Sequence, residues 1–94
     1  MPKFDIAHIR EQGVDLIIIP LDDSFRFKSG KDQETAIAEL QARASTAGLA
    51  GTVVPVWDNG GGRMAFRAPN NFHPFFKSID LIFVATNINR ELRW

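Results

Sequence analysis

Cysteine is absent from the 94-residue chain, so it can form no disulfide and no thiolate metal site. Zinc would have to rest on His8, His73 and carboxylates, a poor donor set, and neither a metal nor a cofactor is expected. No stretch approaches the roughly 20 apolar residues of a membrane span. The N-terminal MPKFDIAHIREQG lacks the apolar core of a signal peptide. A reduced, cytoplasmic setting with no membrane partner is the expectation. An excess of one charge is also missing, since eleven Lys and Arg balance eleven Asp and Glu. A dedicated duplex binder would be more basic. The balance hides a modest split: residues 1–59 carry six basic and nine acidic side chains, residues 60–94 five and two. Association between unlike patches accounts for that. Repeats, low-complexity tracts and linkers are lacking too. The chain therefore reads as a single domain, 1–94, with a core over 14–86, an N-terminal segment over 1–12 and a tail over 87–94. A chain this short buries only roughly 60–65% of its unfolded surface, so oligomerisation is one route to added stability.

What is present resolves into six main elements. VDLIIIPL (14–21) is a continuous, isoleucine-rich run of the kind that forms a buried strand. DQETAIAELQARASTAG (32–48) is the clearest helix, with Ile37, Leu40, Ala44 and Ala47 at helical spacing. Asp32 or Ser29 can cap its start, and Gly48 is a natural left-handed terminator followed by Leu49. TVVPVW (52–57) and RMAFRA (63–68) read as strands. Pro55 confines the first to a sheet edge or a bulge. The second alternates, with Met64, Phe66 and Ala68 on one side and Arg63, Ala65 and Arg67 on the other. NNFHPFFKSI (70–79) reads as a short helix with Pro74 in its first turn, and DLIFVAT (80–86) as a last strand, apolar on both faces. Residues 3–12 suit a short helix or a strand. Residues 22–30 form a long connection with room for an extra short strand around Phe25–Phe27.

Strand, helix, strand, strand, helix, strand is the split βαβ order of a ferredoxin-like, two-layer α+β sandwich, here with an N-terminal extension. That order puts the Pro55 strand at an edge and the isoleucine strand in the centre. Helices would then lie on one face only, and the other face should be wet. Strands 14–20 and 80–86 are apolar on both sides, so a large greasy patch would need a cover. The candidates are the N-terminal segment, the Trp94 tail, or a second copy of the chain packed across a two-fold axis. Ile17, Ile19, Trp57, Phe83 and Trp94 are the expected interface residues, and a homodimer the expected assembly, with another protein as a further possible partner.

The chemistry-bearing residues form no convergent catalytic set. Gly60–Gly62 lies between two strands and lacks the GK[ST] of a phosphate loop, so DNGGG reads as a hairpin turn. Asp58, Arg63, Arg67 and His73 are the candidate ligand-binding residues, should sheet and cover enclose an apolar cavity. Asp22 and Asp23 are adjacent, point apart and suit a turn better than a metal site. SFRFKS and RMAFR interleave aromatic and basic side chains, the formula for single-stranded nucleic acid. The first strand, however, offers Ile17 and Ile19 where a stacking ring would be wanted, and nucleic acid is disfavoured. A non-enzymatic association domain is the first expectation. A small-molecule binding protein or enzyme with an apolar cavity at the sheet face is the alternative, and single-stranded nucleic-acid binding the third.

Overall fold

A computed structural model describes residues 3–93 of the chain. Strands β1 (Lys3–Glu11), β2 (Val14–Pro20), β3 (Thr52–Asp58), β4 (Met64–Phe66) and β5 (Arg90–Arg93) form one mixed sheet in the order β4-β3-β2-β1-β5. Helices α1 (Gly30–Thr46), α2 (His73–Lys77) and α3 (Leu81–Thr86) complete a small α+β domain. The pairing β2–β3 is parallel and bridged by α1; β1–β2, β1–β5 and β3–β4 are antiparallel.

Local chemistry accounts for the best-formed pieces. Ser29 is the N-cap of α1, its Oγ accepting from the Asp32 N–H (3.1 Å). The other end closes with Gly48 at φ +82°. There the Leu49 N–H donates to the Ala44 carbonyl (3.0 Å) and the Gly48 N–H to that of Ser45 (3.1 Å), a Schellman motif. Between β3 and β4 the triple glycine is a hairpin tip, with positive φ at Gly60, Gly61 and Gly62. Asp58 Oδ1 accepts from the Gly60 N–H (2.8 Å). Pro55 lies one strand in from the edge, yet β4 is so short that it pairs only with Val56–Asp58. The Pro55 carbonyl accepts from the Arg67 N–H on that side. A residue's N–H and C=O point the same way in a strand, so the missing proline donor falls where β4 no longer pairs.

Two side-chain amides close the exposed ladders. Gln41 of α1 bonds both the Val53 N–H and the Gly51 carbonyl along β3. Asn89 bonds both the N–H and the carbonyl of His8, continuing the β1–β5 ladder by one step. Each amide takes the place of a neighbouring strand and blunts an edge that could otherwise template pairing.

The sheet departs from the ferredoxin-like order. Residues 81–86 are helical, because Asp80 caps α3 by accepting from the Phe83 N–H (2.8 Å), and the five apolar residues that follow suit either state. The place beside β2 goes instead to β1, so residues 3–11 are strand rather than helix. The buried set accordingly reaches outside 14–86, to Ile6, Ala7 and Leu92. Residues 23–27 form a 3-10 turn, not an added strand.

Both sheet faces are covered from within the chain. Ile17, Ile19, Val53, Ile6 and Leu92 pack with Leu40 and Ala44 of α1. Leu16, Ile18, Val54, Val56 and Ala7 pack with Phe72, Phe76 and Val84 from the 70–88 segment. The second apolar face expected from the sequence exists, and its cover is the 70–88 segment, half of which the sequence pattern places in the sheet itself.

Candidate functional site

The expected interface residues have separate fates. Ile17 and Ile19 are fully buried beneath α1. Trp57 is buried with its ring edge-to-face on Phe25, centroids 4.9 Å apart. Its Nε1 is the one buried side-chain polar atom without a hydrogen-bond partner among the described residues. Phe83 is half-buried beside Phe75 in the α2–α3 layer. Trp94 lies outside the described residues.

The four candidate ligand-binding residues do not converge. Asp58 and Arg63 belong to the hairpin, where the Asn59 N–H donates to the Arg63 carbonyl (2.7 Å). Arg67 reaches the start of α1, donating to the Gly30 carbonyl (3.3 Å) and Gln33 Oε1 (3.2 Å) and pairing with Glu34 (3.5 Å). His73 stands on the other face, its ring edge-to-face on Phe66 and its Nε2 2.9 Å from the Ala68 carbonyl. A carbonyl only accepts, so Nε2 carries the proton there. Of the nucleic-acid candidates, Phe25 is buried and Phe66 packs in the core. Phe27 is 75% exposed under the Arg26 guanidinium, 4.6 Å from its ring centre. No group of three or more His, Asp or Glu among the described residues could hold a metal ion.

A pocket of about 240 Å³ opens on the α1 face instead. Phe4 of β1, Leu21 just after β2, Phe25 of the 3-10 turn, and Ala36 and Leu40 of α1 are its apolar walls. The exposed Asp22, Ser24, Lys28 and Glu39 complete the lining. The position follows from topology, because β2 and β3 are parallel and the connection leaving β2 lies at the carboxyl end of that pair. Ligand crevices of parallel sheets form at such ends. Within the turn, the Asp22 carboxylate accepts from the Ser24 backbone N–H (2.9 Å). That bond, with contributions from Asp23 and the Ser24 side chain, holds Asp22 below the usual carboxylate range.

Of the pocket residues, Asp22, Phe25 and Leu40 enter the sequence reading only in other roles, as a turn carboxylate, as part of a possible extra strand and as part of the helical stripe. The one available cue was the strand–helix–strand unit over 14–57, whose long 22–29 connection had to lie at the carboxyl end of a parallel strand. No protein-family model, curated protein or solved structure matches the chain significantly. No helix among the described residues is long and apolar enough to cross a membrane.

Proposed function

We propose that this chain is a non-enzymatic binding domain whose α1-face pocket takes a small, mostly apolar molecule. The observation that carries this reading is the pocket itself, five apolar walls around about 240 Å³ at the carboxyl end of a parallel strand pair. An apolar concavity with a few polar groups is the usual form of a ligand site, and this volume falls below the drug-sized range of roughly 300–1,000 Å³. The absence of a convergent acid, base and nucleophile among the described residues favours binding over turnover. Titrating ¹⁵N-labelled protein with benzyl alcohol tests the reading. Shifts confined to the amides of Phe25, Ala36 and Leu40 support it, and unmoved resonances at millimolar probe defeat it.

Self-association is a second reading, favoured by a different surface. Ile82 is 75% exposed on α3, next to half-buried Phe83, whose ring centre lies 6.3 Å from that of Phe75. A homodimer seated on this layer keeps Phe83 as an interface residue. Sedimentation at tens of micromolar decides it: a strict monomer removes the homodimer.

A further inference from the structure

We infer that the pocket's ligand is a zwitterion with an apolar side chain, a free amino acid of about the size of phenylalanine or leucine. The inference rests on the pocket reading above and adds the ligand class. Size comes first. A dry cavity of about 150 Å³ is enough to hold benzene, so about 240 Å³ accommodates a ring or branched chain together with a few further heavy atoms. The ring or chain would lie against Phe4, Leu21, Phe25, Ala36 and Leu40.

Charge supplies the second argument. Both signs stand in the same lining: Lys28 on the 3-10 turn, Asp22 at its start and Glu39 on α1. The ion pairs found among the described residues lie elsewhere, at Lys3–Glu91, Arg10–Asp15, Arg67–Glu34 and Arg93–Glu91. Lys28 and Glu39 thus surround one apolar opening without neutralising each other. A fatty acid would match Lys28 but bring its carboxylate beside Asp22 and Glu39. An apolar amine would match those two and leave Lys28 facing a like charge. A ligand with an ammonium and a carboxylate on neighbouring atoms meets both signs at once, which is charge complementarity acting on specificity.

The test uses the full chain and four probes of one ring size: L-phenylalanine, 2-phenylethylamine, 3-phenylpropionate and neutral benzyl alcohol, each followed by amide shifts at Phe25, Ala36 and Leu40. L-Phenylalanine is expected to bind ~5-fold or more tightly than either singly charged analogue, the scale of an exposed ion pair. Lys28→Met should bring its affinity down to that of the amine, and Glu39→Gln down to that of the acid. Both residues are exposed, so neither change threatens the fold. If benzyl alcohol or a singly charged analogue binds as tightly as L-phenylalanine, the zwitterion class is wrong while the pocket stands. If no probe, benzyl alcohol included, moves those amides, the pocket reading itself falls.

Discussion

One face of the sheet is covered by a single 17-residue helix, the other by two helices of five and six residues. The long helix has an N-cap, a Schellman C-terminus and an amide bonded across to β3, so much of its order is its own. Helices as short as α2 and α3 are unstable alone. They exist because Phe72, Phe76 and Val84 anchor them on Leu16, Ile18, Val54 and Val56. Aromatic rings knit that side: Phe76 lies 5.3 Å from Phe66 and 5.1 Å from Phe75 between centroids. The difference has a consequence for function. A self-sufficient helix on a twisted sheet need not follow it everywhere, and where α1 presents the small Ala36 a pocket is left. A layer that depends mainly on packing has less such freedom.

The comparison makes its largest demand on Phe76, which is 1% exposed. Phe76→Ala should cost about 3–5 kcal/mol, a large part of a small domain's stability, measured by urea unfolding. A loss under about 1.5 kcal/mol would show that the short helices do not depend on that ring. Leu40→Ala should cost less, about 2 kcal/mol at the low end for its class, because one side of Leu40 already borders the pocket. Equal losses at the two positions would erase the contrast between the faces. Asp80→Ala removes the cap of α3 and should cost about 1 kcal/mol, with faster amide exchange in 81–86 than in 30–46. Uniform exchange across the helices would argue that α3 is as self-supporting as α1. Ala36→Leu should change stability by at most about 1 kcal/mol, upward if the added methylenes fill the pocket, and should abolish benzyl alcohol binding. A marked loss of stability instead would mean that the space is already closed. Ile82→Lys should leave stability within about 0.5 kcal/mol, and it separates monomer from dimer in sedimentation if the exposed α3 surface self-associates.

Much of the fold was legible where a signal was local. Ser29 and Gly48 bracket α1, DNGGG marks a hairpin, and Met64, Phe66 and Ala68 all turn to one core. The edge position expected for the Pro55 strand did not hold, because β4 flanks β3; the proline is tolerated because the β3–β4 register ends at Val56. The rest turned on choices between states of similar local preference. Residues 81–85 are all apolar and only five long, so periodicity could not separate strand from helix. The Asp80 cap and the occupation of both β2 edges by β1 and β3 decided it. Residues 3–11 carried both patterns, and only pairing with β2 and β5 made them a strand. The pocket was less legible still, since Phe4, Leu21, Phe25, Ala36 and Leu40 come from four separate elements with no motif to join them.

Sequence alone determined that the 14–20 run is apolar on both sides and must be buried on both, because branched aliphatic side chains alternate there without a polar residue on either face after Asp15. It also determined where α1 ends, through Gly48, and narrowed its start to Asp32 or Ser29, through side-chain and glycine chemistry confined to a few neighbouring residues. The tertiary structure decided what does the burying. Hydrophobic burial is non-directional and rewards any cover that excludes water. The selection among an N-terminal segment, a second chain and the 70–88 segment therefore depended on strand pairing, cap geometry and the reach of connecting loops, none of which is written in any one stretch of residues.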